Sequence, residues 1–329
     1  MTTTTATTRR AALAAALATA ALPAPAARAQ GGTAPPLRIV VPAPPGGPTD
    51  ILARVIAERV GPPLNRAVVV DNRAGAGGIV GAEAVARAAP DGNTVMVGHN
   101  QTHASNQWMA RNLPYHVVDS FAPVARLATV HHALVVPATG PDRTLADLVA
   151  RGRRGRVTYA SSQAGSASHV ISEALARRAG MPDATHVPYR GAAPAATDTV
   201  AGVVDWYVAT FPTVAGLVRE GRLRALAVGA PVRLADFPDV PTAAEGGVGD
   251  VFVDAWFGLF APRGTPEAAV GLVAGAALDA IEEPAVRARL EAAGFNLAPQ
   301  AAAPFAAFQA EEVARWRALA ELTGVRMDG

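Results

Sequence analysis

The 329-residue chain contains no cysteine, which removes thiolate nucleophiles, cysteine-ligated zinc, iron–sulfur clusters and any disulfide framework. Charge is also scarce, at 17% of residues against 50% hydrophobic, the reverse of the composition that keeps a chain disordered. The net charge of +2 owes its sign to Arg9, Arg10 and Arg28 in a leading segment without acids, so the rest is near neutral and a nucleic-acid binder is not expected. Aromatics are 5%, too few for a sugar-stacking platform. Beyond the N-terminal segment, no apolar run reaches the roughly 18 residues of a membrane span.

That segment has Thr8-Arg9-Arg10, an Ala/Leu run from Ala11 to Leu22, then Pro23, Pro25 and Ala27-Arg28-Ala29. A basic start, a short apolar stretch and a small-x-small site read as an export signal cleaved after Ala29, by the Sec or the twin-arginine route. A frayed Ala-rich helix is the alternative. The expected mature protein is soluble, exported and free of a lipid anchor.

From Leu37 onward, short β-branched runs alternate with helical patterns. The expected strands are Leu37–Val41, Ala67–Val70, Thr94–Val97, Ala133–Val136, Val157–Tyr159, Thr185–Val187, Val204–Val208, Ala225–Val228 and Phe257–Ala261. Strands apolar almost throughout, separated by helices, predict an α/β fold with mostly parallel sheets flanked by helices. This many strands fit two sheets better than one, with a single barrel as the alternative. Pro137 to Asp142 reads as a crossing between domains and Gly246-Gly247-Val248-Gly249 as a second. The segment after the second holds too little sheet to stand alone and is expected to return to the first domain.

In open α/β sheets, ligands bind beyond the C-terminal strand ends, where helix N-termini present uncovered N–H groups. Four strand-to-helix junctions here are rich in glycine or hydroxyls. The first, Pro42 to Asp50, combines turn-fixing prolines with Gly46 and Gly47, which let backbone approach a small anion; Thr49 and Asp50 cap the helix or contact a ligand. The second, Asn72 to Gly81, misses a dinucleotide fingerprint, because its third glycine falls at Gly81 rather than at Val80 and no acid follows at the required distance. The third holds five of the seven serines, Ser161, Ser162, Ser166, Ser168 and Ser172, with Gly165 between and His169 in the first helical turn. One hydroxyl suffices for a cap, so the surplus favours an anionic ligand. In the fourth, Val187-Pro188-Tyr189-Arg190-Gly191, Arg190 pairs either with a ligand carboxylate or with a protein acid.

Other residues promise less. His99 and His103 have the spacing of a helical metal pair but no nearby acid, so no metal or cofactor is expected. No serine stands in a nucleophile elbow, and Ser166 or Ser168 with His169 lacks an orienting acid. Trp108, Trp206 and Trp256 line a cleft or fill the core. The arginine run from Arg151 to Arg156 reads as a solvated loop.

Several motifs, taken in order, resemble the Bug family of tripartite tricarboxylate transporter substrate-binding proteins. They are Pro44–Asp50, Asn72–Gly78, Pro114-Tyr115 through Asp119–Pro123, Tyr159-Ala160-Ser161 with Gly165-Ser166 and His169, His186–Gly191, Gly221–Ala227, Pro238–Thr242 and Trp256-Phe257-Gly258. The resemblance runs from Arg38 to Leu297. It implies a periplasmic two-lobed "Venus flytrap", with residues 30–130 plus 255–329 as one lobe and 131–254 as the other. It also implies capture of a small carboxylated solute without chemistry, for membrane permease subunits or for sensing, by a monomer. On matching positions the ligand is held by Pro44, Gly47, Thr49 and Asp50, by Ser161, Gly165, Ser166 and His169, and by Arg190 and Gly191 at the mouth. Thr102 and His103 fall in the variable pocket loop from Asn100 to Asn106. Ala43 stands where the family usually carries an aromatic, and Ala164 where it often has a polar residue. Gln163 replaces a frequent glycine and adds an amide within reach of the ligand. The competing readings are an exported α/β hydrolase-like enzyme using His169 or His103, and a partner-binding scaffold with a degenerate pocket.

Overall fold

The computed structural model describes residues 34–327, so the expected export signal lies outside the described residues. Leu37–Val41 (β1) is buried at every position but Arg38, as a strand covered on both faces requires. It pairs in parallel with Val68–Asn72 (β2) and Thr94–His99 (β3). Helix Pro48–Val60 (α1) links β1 to β2, with Pro48 in its first turn, Asp50 beside it and Arg59 in its last turn, an order that suits the helix dipole. Ile79–Ala86 (α2) links β2 to β3. After β3 a π-helical turn, Gln101–Ser105, leads into Asn106–Met109 (α3) and on to Phe121–Val130 (β4).

The second sheet holds His132–Pro137 (β5), Val157–Ser161 (β6), Ala184–Pro188 (β7), Trp206–Thr210 (β8) and Leu223–Val228 (β9) in the order β7-β6-β8-β5-β9. Its connections carry Leu145–Arg154 (α4), Ala167–Ala179 (α5), Ala192–Val200 (α6) and Pro212–Arg219 (α7). The chain then returns as Ala255–Pro262 (β10), Glu267–Glu282 (α8), Pro284–Ala292 (α9), Asn296–Ala301 (β11) and Ala302–Thr323 (α10). Both late strands enter the first sheet, whose order is β11-β4-β10-β3-β1-β2.

The expected two-lobed α/β architecture holds, and the barrel alternative falls. Both sheets are mixed rather than mostly parallel: β10 runs against β3 and β4, and β5 against β8 and β9. These are the strands that carry the chain between lobes, so they arrive in the opposite sense to strands delivered by a βαβ crossover. The sequence pattern missed β4 and β11, which contain Pro123 and Pro299. Pro123 sits beside a bulge and β11 is an edge strand, the two settings in which a sheet tolerates proline.

Pro137–Asp142 does not carry the chain between lobes. It turns β5 into α4 within the second sheet's lobe, with Gly140 N–H donating to Pro137 O and buried Asp142 accepting from Arg151 at 2.6 Å. The chain changes sheet between β4 and β5 and again between β9 and β10, and His131 and Asp254 on these two connections pair at 2.8 Å, with His132 Nδ1 2.7 Å from Val253 O beside them. The arginine run closes α4 rather than forming a solvated loop: Arg151 is forked between Asp142 and Asp205, at 2.6 and 2.7 Å, because those acids supply the charge that water would otherwise provide. Trp206 and Trp256 are core residues, in an apolar cluster that runs through both lobes and takes in Phe260, Phe305 and Trp316. No helix among the described residues is long and apolar enough to cross a membrane.

Candidate functional site

The proline- and glycine-rich segment after β1 is closed by one carboxylate. Gly46 takes a positive φ of 86°, and its N–H donates to Asp50 Oδ2 at 2.9 Å. Asp50, 3% exposed, also accepts from Arg54 Nε and from Asn72 Nδ2. Burial pushes this carboxyl up, but hydrogen bonds from Arg54, Gly46 and Asn72 outweigh it and hold the group below its ordinary value. Both oxygens are thus taken up in shaping the loop. Gly47 is the N-cap of α1 and has no side chain to cover the first amides of that helix.

In the second lobe, the loop between β6 and α5 is a lattice of hydroxyls. Ser161 Oγ lies 2.6 Å from His186 Nε2 and donates to Gln163 O at 3.0 Å. Ser166 is the N-cap of α5; its Oγ donates to Gln163 O at 2.7 Å and lies 2.9 Å from Ser168 Oγ. Ser168 Oγ in turn accepts from Ser162 N–H at 3.0 Å. Gly165 N–H donates to His169 Nδ1 at 3.1 Å. The His169 ring stacks on His186, with centroids 3.6 Å apart. Both imidazoles are pushed down to about 4, chiefly by burial, with repulsion from His186 adding at His169. They are therefore neutral at pH 7, and His169 Nδ1 is free to accept.

The starts of α1 and α5 open on the same cavity of about 190 Å³. Pro48 and Thr49 line it from one lobe, and Ser166, Ala167 and Ser168 from the other. His99, Asn100, Gln101, Ala255 and Phe257 complete the first side; His132, Ser162, Tyr207 and Thr210 complete the second. The chain has no lysine, and no Arg, Asp or Glu among the described residues lines this cavity. Burial holds His99 at about 4 and lowers His132, so the histidines bring no charge at neutral pH. The positive potential inside comes from two helix N-termini, which suits a small anion with oxygen acceptors. Among the described residues, nothing in the lining forms a nucleophile–base–acid chain.

Of the residues singled out by sequence, Thr49, Ser162, Ser166 and Ser168 line the cavity. Asp50, Ser161, Gly165 and His169 shape the loops behind it, Gly47 stands at the start of α1, and Pro44 is exposed. Gln163 Nε2 donates to Gln101 Oε1 at 2.9 Å, which joins the two lobes. Arg190 is exposed, whereas Gly191 N–H donates to Ser162 O at 2.8 Å and ties the β7 junction to the serine loop. Thr102 and His103 are not part of the lining. Thr102 Oγ1 bonds the His99 backbone, and the His103 ring stacks on Phe260 at 3.7 Å in the core of the first lobe. The loop from Asn100 to Asn106 that the family resemblance marks as variable does reach the cavity, but through Asn100 and Gln101, while His99 at the end of β3 was weighed only as a metal ligand. Sequence reasoning left out His132, Tyr207 and Phe257 because they come from antiparallel strands, where the strand-end rule gives no signal.

Comparison with known proteins places this geometry. Residues 52–325 match the tripartite tricarboxylate transporter family receptor. Protein BugT of Bordetella pertussis is 35% identical over 300 residues, 89% of this chain and 90% of BugT. MatC from Rhodopseudomonas palustris, solved with bound malate, superposes with a TM-score of 0.76 at 35% identity, covering 86% of this chain and 98% of MatC. Rpa4515 of R. palustris, solved with adipate, gives 0.81 at 31% identity, covering 88% and 97%. The chain therefore belongs to the tripartite tricarboxylate transporter family receptors, solute-binding proteins of the Bug type.

Proposed function

We propose that this protein captures a small mono- or dicarboxylate between its lobes and releases it unchanged. The observation that carries this reading is the meeting of two helix N-termini, one from each lobe, on a cavity lined by neutral donors. Thr49 and Ser166, with the uncovered amides beside them, contact the acid. Pro44, Gly47, Asp50, Ser161, Gly165 and His169 hold the two loops in shape, and Arg190 and Gly191 stand near the mouth. A cavity of about 190 Å³ suits a short acid, in keeping with the malate bound by MatC and the adipate bound by Rpa4515.

The lobes are assigned as residues 30–130 with 255–329, and 131–254. The protein works in the periplasm as a monomer, binds without catalysing a reaction, and delivers its solute to the membrane permease subunits of a tripartite tricarboxylate transporter. Absence of catalysis is supported by the serine loop, whose hydroxyls bond one another and the backbone: Ser161, which also lies 2.6 Å from His186 Nε2, donates to Gln163 O, and among the described residues no acid is bonded to His186 to orient it.

Thermal melting of the purified mature protein against a panel of short mono- and dicarboxylates tests this. A ligand at about 100 times its Kd adds about 2.7 kcal/mol by mass action, a shift of several degrees. A rise with at least one acid is expected. Flat curves across the panel overturn the proposal, and turnover of an ester or phosphate that is lost in His169→Ala replaces it with an enzyme.

A further inference from the structure

The lobes also touch behind the wall of the cavity, through side chains that carry no charge. Gln101 follows β3 in the first lobe, and its Oε1 accepts from Gln163 Nε2 of the serine loop. That bond fixes the orientation of the Gln101 amide, whose Nε2 is buried and has no acceptor among the described residues. Met327 and this amide both come against Gly77. The backbone of Met327 is fastened to the first lobe, with N–H donating to Met109 O at 2.9 Å and a bridge to Ala110. Its side chain fills the space between Gly77 of the first lobe and Gly165 of the second. A Cβ on Gly77 would meet Met327 Cε, and a Cβ on Gly165 would meet Cγ. Both glycines also hold positive φ, of 66° and 73°.

We propose that Gln163 and Met327, acting through Gln101, form a latch between the lobes that sets the affinity and residence time of the solute. This rests on the reading that an acid is captured between the lobes. Met327 and Gln163 do not line the cavity, so they act by position rather than by touching the solute. A solute that needs the closed arrangement binds with an apparent Kd raised in proportion as that arrangement is depopulated. A latch that favours closure before the solute arrives therefore tightens binding without discriminating among acids.

The absence of cysteine allows unambiguous spin labelling. Leu272→Cys in α8 and Val203→Cys before β8 place labels on opposite lobes at positions 66% and 64% exposed. Pulsed electron resonance on the ligand-free protein reads the distance between them. The parent is expected to give mainly one short distance, and Gln163→Ala with Met327→Ala a second, longer one. Gln163→Glu restores the short distance, because a carboxylate accepts from the Gln101 amide once that amide turns over. Superimposable distributions in parent and double variant overturn the latch. Because Gln163 is exposed, the single Gln163→Ala variant should fold normally and give an intermediate population. With malate as probe, calorimetry of the double variant is expected to show a Kd weaker by roughly tenfold. A weaker Kd with an unchanged distance assigns Gln163 to solute contact and overturns the latch. If no acid binds the parent, the functional proposal fails, while the distance measurement still decides the latch.

Discussion

Ser166 illustrates how one residue serves both fold and site. Its hydroxyl caps α5 and the residue lines the cavity, so Ser166→Ala should cost about 1 kcal/mol of stability, the usual loss of a cap, and weaken acid binding roughly tenfold or more. Calorimetry and melting of the same variant separate the two effects; a stability loss without an affinity loss would leave the residue as a cap alone. Histidine makes a second test. His169 and His186 sit at about 4 when folded against 6.5 unperturbed, so between those values the unfolded chain binds protons that the folded chain does not. Stability from this pair is complete above about pH 6.5 and falls as the pH drops toward 4. A protonated His169 Nδ1 also loses its acceptor role toward Gly165, so binding should weaken over the same window. Melting temperatures from pH 7 to 4 check this, and His169→Gln should flatten part of the slope. At this scale the sequence was most legible where residue type is restrictive. A cluster of serines at a strand end has few structural uses, whereas His103 could be read as core or ligand until its stacking on Phe260 was visible.

Among the elements, the junctions were easier to read than the sheets. Apolar runs such as Leu37–Val41 announce buried strands, and Pro48 and Ser166 announce helix starts. β4 and β11 were hidden because their pairing depends on partners far along the chain, which compensate for Pro123 and Pro299. α4 shows the same limit, since Arg151 reads as a surface arginine until Asp142 and Asp205 close around it from two other segments. Removing its guanidinium leaves Asp142, 4% exposed at its side chain, with an uncompensated charge. Arg151→Ala should therefore destabilise the protein by about 3 kcal/mol, measured by urea unfolding. A change near that of an exposed arginine would show that the pair is well solvated.

At the scale of the molecule, the two connections between the sheets are held together by the His131–Asp254 pair, and a shared apolar cluster joins the lobes. Closure then reduces to how the lobe faces meet around the solute, and the geometry makes them meet through neutral donors and helix poles. Because no charged side chain among the described residues lines the cavity, affinity should change by less than about threefold between low and high salt, unlike a site built on arginine. Calorimetry at the two salt concentrations checks it. The most direct test of the whole account is a crystal structure of the mature protein with malate. One carboxylate is expected between the N-termini of α1 and α5, within hydrogen-bond distance of both Thr49 and Ser166. Malate held by one lobe alone, or at a site remote from both helix starts, would contradict it.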